Sequence, residues 1–163
     1  MDGGSVNWFS SYLGMRRQFT VVHGSSSALQ SIDCGVPQGS ILGPLLFLVY
    51  INDMESATSC KLFLYADDSV LVTSGKNTTE IENSLNRELL KIQAWLEENK
   101  LSLHLGKTES ILFGSKSKLK QKNSLDIKIG DTPVTPKDSI KYLGVTLDQD
   151  LSGSTQGKGV IQK

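Results

Sequence analysis

Cysteine and histidine are nearly absent: Cys34, Cys60, His23 and His104 are the whole supply in 163 residues. The two cysteines lack ligand spacing, which excludes a disulfide framework and a Cys/His zinc site. The two histidines have neither a carboxylate nor a cysteine beside them in sequence and are not metal-ligand candidates. An excess of either charge is also missing, since 17 basic residues balance 17 acidic ones. That balance argues against a chain that grips nucleic acid unaided, because duplex binding rests on Lys and Arg neutralising phosphates. The longest apolar run, Ile41 to Ile51, is broken by Gly43 and Pro44 and is far shorter than the ~20 residues that cross a bilayer. Met1-Asp2-Gly3-Gly4 is no basic-then-apolar leader. The expectation is a soluble intracellular chain, cytoplasmic or nuclear, with no membrane partner. Hydrophobic content of 38% and charged content of 21% lie in the globular range, enough for one compact core.

What is present is sharpest at Leu62-Phe63-Leu64-Tyr65-Ala66-Asp67-Asp68-Ser69-Val70-Leu71-Val72. Two short runs rich in aromatic and β-branched residues read as buried strands, with Asp67-Asp68-Ser69 as the tight turn between them. Adjacent anions on a buried hairpin repel each other and are costly to desolvate. A divalent cation over the turn reverses that, because it becomes the largest local charge and keeps both carboxylates ionised. Asp67 and Asp68 can equally be ordinary turn residues, since Asp is common in turns.

Around the hairpin the pattern is mixed. Val6 to Leu13 reads as an amphipathic helix, and Gln18–Val22 and Gln30–Asp33 as strands joined by a Gly24–Ser27 loop. Leu45 to Asn52 is apolar on all sides, as a helix buried beneath a sheet would be, with Pro44 where a helix tolerates a missing N–H. A long helix is predicted from Thr78 to Asn99. Asn77 caps it with Glu80 three residues on, and Ile81, Leu85, Leu89, Ile92 and Leu96 form one face. Glu80, Glu82, Glu88, Glu97 and Glu98 load that helix with acid, whereas Lys116, Lys118, Lys120 and Lys122 follow in what reads as a solvated loop. Glu109–Phe113, Leu125–Ile129 and Ile140–Leu147 read as strands, and residues 151–163 as a frayed tail. Helices on one face of an antiparallel sheet define an α+β fold. Asn77-Thr78-Thr79 fits a glycosylation acceptor but serves better as a cap, and Ser40 lacks the glycine of a nucleophile elbow.

Cys34-Gly35-Val36-Pro37-Gln38-Gly39-Ser40-Ile41-Leu42-Gly43-Pro44-Leu45-Leu46-Phe47 and the run on to Asn52-Asp53-Met54, together with Tyr65-Ala66-Asp67-Asp68, closely resemble the reverse transcriptase palm of non-LTR (LINE-type) retrotransposons. The likeness continues through Trp95–Thr108 and Ile140–Val145. It covers about Trp8 to Asp148, with four motifs in the family's order.

The resemblance implies nucleotidyl transfer: a primer 3′-hydroxyl attacks the α-phosphorus of a deoxynucleoside triphosphate, copying an RNA template onto a DNA primer. Asp67 would bridge two Mg2+ ions (or Mn2+) and Asp68 would assist, in the two-metal manner of such enzymes. Gly35, Pro37, Gln38 and Gly39 would border the templating base pair, in a loop whose glycines and fixed proline φ let backbone approach a ligand. Tyr65 would join them in nucleotide binding. Lys107 matches a lysine near the nucleotide phosphates, a candidate general acid toward pyrophosphate. His104 stands where the family usually has Asn, and a solvated Lys107 is the alternative. Gly106-Lys107-Thr108 mimics the end of a P-loop, but Leu101 stands where its first glycine belongs. Tyr142, Leu143 and Gly144 resemble the primer grip, in a hairpin that would also bury Leu143 and Val145.

A complete palm supplies another metal-binding Asp on a strand before the Gly35–Ser40 loop. Upstream of Gly35 stand only Asp2 and Asp33, and neither fits. The expectation is therefore a partial palm over 1–115, a palm end with the primer-grip-like hairpin over 116–150, and a tail. The chain needs the remainder of the polymerase and is inactive alone. The alternative is a non-catalytic relic or nucleic-acid-binding module derived from a retrotransposon.

Overall fold

The computed structural model describes residues 3–120 and 125–153. They form two compact units. One runs up to Asp53 and takes in Tyr65–Asp68; the other comprises Met54–Leu64 and the chain from Ser69 onward.

The first unit begins with α1 (Gly3–Leu13), where Trp8 stacks on Tyr12 at 5.2 Å and meets Phe9 edge-on at 5.1 Å. A ribbon follows. Strand β1 (Arg16–Gln18) and, further on, β4 (Gln30–Ile32) pair antiparallel with Arg17 opposite Ser31. Between them β2 (Val21–Val22) pairs with β3 (Ser25–Ser26). The predicted Gly24–Ser27 loop therefore holds a short strand, turned by left-handed His23 and Gly24. Helix α2 (Gly43–Ile51) is all apolar, yet only Gly43 and Ile51 are buried. Leu45, Leu48, Val49 and Tyr50 are exposed. The expected burial beneath a sheet is corrected: a helix apolar all round needs cover on every side, and in this chain α2 has little.

The second unit opens on a 3-10 turn at Met54–Ala57; it leads to β5 (Lys61–Tyr65) and β6 (Asp68–Val72), hydrogen-bonded to each other as a hairpin whose tip, Tyr65–Asp68, is assigned to the first unit. These strands are half-exposed rather than buried, with Leu62 and Leu64 turned inward and Phe63 and Tyr65 outward. Helix α3 (Thr78–Glu98) opens as expected, with Asn77 Oδ1 accepting the Glu80 N–H at 2.9 Å. The Glu80 carboxylate reaches back to the Lys76 N–H rather than to that of Asn77. Next come β7 (Glu109–Ile111), α4 (Lys116–Lys120) in place of the predicted loop, β8 (Lys128–Ile129), β9 (Thr132–Pro133), β10 (Thr135–Lys137), β11 (Ser139–Tyr142) and β12 (Val145–Asp148). Lys122 and the tail beyond Gly153 lie outside the described residues.

The core sits where α3 meets β8. Ile127, Ile129 and Val134 are buried, with Leu85, Leu89 and Leu125 packed against them, and Ile92, Trp95 and Leu96 continue the apolar face along the helix. Asn86 ties this edge down from both sides of its amide, donating to the Asp126 carbonyl and accepting the Lys128 N–H, each at 2.9 Å. The mixed α+β character holds. The single antiparallel sheet does not: the described strands pair in twos, and β7 and β10 run parallel.

Candidate functional site

The Asp67–Asp68 hairpin turns on Ala66 and Asp67, so Asp68 is already the first residue of β6. The sequence pattern predicts the turn one residue later, at Asp67-Asp68-Ser69. The displacement comes from Ala66, which adopts the left-handed region at φ 52°. That region costs an L-residue roughly 1–2 kcal/mol, and Asp would ordinarily be the favoured occupant. Tyr65, Ala66, Asp67 and Asp68 are all exposed. Consecutive β-residues point to opposite faces, whereas a carboxylate in the turn and one at the strand start are not bound by that alternation.

The Gly35–Ser40 loop belongs to the same compact unit as this hairpin tip. Gly35 and Gly39 take φ values of 82° and 74°, which only glycine adopts freely. The Ser40 hydroxyl donates to the Pro37 carbonyl at 2.7 Å and accepts the Gly43 N–H at 2.9 Å. It thereby satisfies one of the orphan donors at the start of α2. A Cβ on Gly43 would lie 2.9 Å from the Pro37 carbonyl oxygen, so the loop folds tightly back on the helix. From the other side the Arg16 guanidinium donates to the Gly35 carbonyl while its Nε holds the Leu13 carbonyl at 3.0 Å. Pro37 is half-buried, and Gln38 and Gly39 are exposed. The loop is both a helix start and an accessible backbone surface.

Lys107 and the Tyr142–Gly144 turn fall in the second unit. Lys107 is exposed and ends a 3-10 turn at Leu105–Lys107, its N–H on the His104 carbonyl at 2.9 Å; the absence of a strand-loop-helix here agrees with discarding the P-loop reading. Tyr142 pairs with Val145 across a two-residue turn, in which Leu143 and Gly144 are both left-handed at 47° and 84°. Such a turn matches strand twist, but leucine is a strained occupant of its first position. Leu143 and Val145 are 48% and 50% exposed, which corrects the expectation that they are core.

Among the described residues no group of three or more His, Cys, Asp or Glu could hold a metal ion. Two adjacent exposed carboxylates fall short of the oxygen-rich shell that Mg2+ demands, so the residues present do not by themselves fit the two-metal centre.

In the sequence Glu88 reads only as one of the acids that load the long helix, not as a site residue. Its side chain is fully buried. One carboxylate oxygen accepts the Ser59 N–H at 2.8 Å and the Thr58 hydroxyl at 3.1 Å; the other accepts from Lys91 Nζ at 2.9 Å and Arg87 Nε at 3.1 Å. The Ser59 N–H and the Lys91 ammonium hold this carboxyl far below the usual carboxylate range, against the opposing effect of burial. The available signal was positional. Glu88 falls three residues after Leu85 and four before Ile92, inside the apolar stripe rather than on the solvated face.

Residues 3–147 match the reverse transcriptase (RNA-dependent DNA polymerase) family. The chain is 30% identical over 152 residues to the RNA-directed DNA polymerase from mobile element jockey of Drosophila melanogaster, covering 88% of this chain and 16% of that protein. It is 34% identical over 152 residues to the probable RNA-directed DNA polymerase from transposon BS of the same fly, covering 87% and 16%. A third relative, the probable RNA-directed DNA polymerase from transposon X-element, is 28% identical over 149 residues. The chain thus spans about a sixth of the length of these relatives, 16% in each case. No solved structure matches it. With a family match that takes in the glycine loop, the hairpin and the long helix, the chain belongs to the reverse transcriptase (RNA-dependent DNA polymerase) family.

Proposed function

We propose that this chain is a segment of an RNA-directed DNA polymerase of a non-LTR mobile element, an incomplete palm whose hairpin carries two of the carboxylates for nucleotidyl transfer. The observation that carries this reading is the grouping of Tyr65–Asp68 with the Gly35–Ser40 loop in one compact unit, inside a family match that covers nearly all of the chain. Asp67 and Asp68 would supply two carboxylate ligands toward Mg2+ or Mn2+, which would activate the attacking hydroxyl and stabilise the leaving group, with further ligands from the rest of the longer polymerase. Gly35, Pro37, Gln38, Gly39 and Tyr65 line the nucleotide and template side. Lys107 serves the departing pyrophosphate. The strained turn at Tyr142, Leu143 and Gly144 holds the primer end, which accounts for an exposed leucine at its tip. Template RNA, DNA primer and deoxynucleoside triphosphates are the substrates.

The test replaces the corresponding segment of the jockey polymerase with this chain and follows primer extension on an RNA template. Extension by the chimaera, reduced ~10²-fold or more by Asp67→Ala, is the expected result. Extension that ignores Asp67→Ala refutes the assignment. The isolated chain is expected to be inactive.

One observation favours a second reading, a non-catalytic nucleic-acid-binding module: the described residues contain no third metal-ligating side chain beside the hairpin. That reading predicts salt-sensitive nucleic-acid binding indifferent to Asp67→Ala and to Mg2+.

A further inference from the structure

The most buried side chain among the described residues is a carboxylate, Glu88. A buried anion is retained only where donors saturate it. Four groups do so here, and two of them, the Thr58 hydroxyl and the Ser59 N–H, belong to the segment that enters β5. The Thr58 hydroxyl in turn accepts the Cys60 N–H at 3.1 Å, fixing the last residue before the strand. The other two, Arg87 and Lys91, are 65% and 48% exposed along their side chains, so they neutralise Glu88 while their stems reach water.

The second leg of the hairpin has a single, longer link. Thr73, directly after β6, lies 3.4 Å from the Ser84 hydroxyl. Ser84 and Glu88 are four residues apart on α3, one above the other on the same face. One helix face thus takes hold of the chain just before β5 and just after β6.

We propose that Glu88 is a positioning residue that, together with Ser84, fastens both legs of the Asp67–Asp68 hairpin to α3 and so fixes the strands from which the two carboxylates project. The proposal rests on the polymerase reading for its functional meaning, and on geometry alone for its mechanics. Glu88 touches neither hairpin carboxylate. It acts through the Thr58–Cys60 segment, much as an outer partner orients a ligand without binding the ligand's target.

Amide hydrogen exchange on the 163-residue chain separates this role from general destabilisation. Glu88→Gln is expected to speed exchange of Ser59 and of the β5 and β6 amides about tenfold or more, relative to the amides of Ile92 and Leu96. Glu82→Ala, which removes the acceptor of the Asp126 N–H at the other side of α3, should leave the hairpin unchanged. Should Glu88→Gln fail to fold, Ser84→Ala tests the β6 leg without touching a buried charge, and Ser84→Thr, which keeps the hydroxyl, should restore it. Hairpin amides that keep wild-type rates in these variants, or that accelerate only in step with α3, overturn the proposal. In the jockey chimaera, Glu88→Gln should lower kcat of extension while leaving the nucleotide KM within about twofold, the signature of lost alignment rather than lost binding. If the chimaera extends primers regardless of Asp67→Ala, the polymerase reading fails while the exchange result still decides whether the clasp holds the hairpin.

Discussion

The two compact units are built on opposite terms. The second has a core: Ile92, Trp95, Leu96, Ile127, Ile129 and Val134 are all buried around α3 and β8. The first has a comparable supply of large apolar side chains and leaves most of them in water, among them Val6, Trp8, Phe19, Val21, Leu45 and Val49. Its order comes from local devices: the Ser40 hydroxyl at the start of α2, the Arg16 hold on Gly35, the aromatic stack on α1. Hydrogen bonds of this kind contribute only about 0.5–1.5 kcal/mol each, whereas burial of a large aliphatic side chain contributes ~1.5–3. The lesson is that part of the candidate chemistry lies outside the unit that has the core, although Lys107 and the Tyr142–Gly144 turn fall inside it. The glycine loop and the hairpin tip sit in the unit with little core, and the buried carboxylate that steadies the hairpin's legs sits in the unit that has one.

The sharpest way to break this contrast is a matched pair of truncations. Ile129→Ala should destabilise by roughly 2–5 kcal/mol, while Leu45→Ala, 57% exposed, should stay within about 0.5. Urea unfolding reads both, and equal effects would show that α2 is covered in solution and that the first unit has a core after all.

Acid sharpens the contrast from the electrostatic side. The Glu88 carboxyl, with an ordinary value of 4.5, is held lower when folded by the Ser59 N–H and Lys91. A carboxyl lowered on folding adds stability that is full above the unfolded value and is lost as pH falls through it toward the folded one. Asp150, lowered chiefly by Lys116, follows the same sign. Stability of the second unit should therefore be level from neutrality to about pH 4.5 and decline below it. Glu88→Gln should lie lower at neutral pH and decline less steeply. A variant whose acid decline matches the wild type would mean that Glu88 is solvated.

A smaller effect is expected at the α3 cap. Asn77→Ala removes the acceptor for the Glu80 N–H and should cost ~1 kcal/mol, felt in the second unit's unfolding midpoint. Smallest is the primer-grip-like turn, where Leu143→Gly relieves a left-handed leucine at φ 47°. The net gain should be under ~1 kcal/mol, since glycine also loosens the unfolded chain. In the chimaera the same change should weaken primer use, so a variant both more stable and fully active would argue that the turn is only structural.

Much of the second unit was legible in the sequence because its signals are local. Asn77 with Glu80, and apolar residues at spacings of three and four, state a helix without reference to anything distant, and α3 runs from Thr78 to Glu98 as those residues require. The hairpin was legible as a hairpin, from two apolar runs around a polar pair. Its turn was read one residue late, because a left-handed alanine is not what turn chemistry favours. The family was legible by resemblance, and the family match over residues 3–147 bears that resemblance out.

By itself, then, the sequence determined the long helix and its cap, the paired strands around Asp67 and Asp68, the mixed α+β character and the family. All of these depend on residues within a few positions of one another, or on motifs carried intact along the chain. Only the tertiary structure decided that α2 lies half in water, that the strands pair in twos rather than in one sheet, and that Glu88 is buried against Thr58 and Ser59. Burial is a property of what packs against a residue, and partners about thirty residues away, as the separations of 29 and 30 residues between Glu88 and Ser59 and Thr58 show, leave no periodic trace for a local reading to follow.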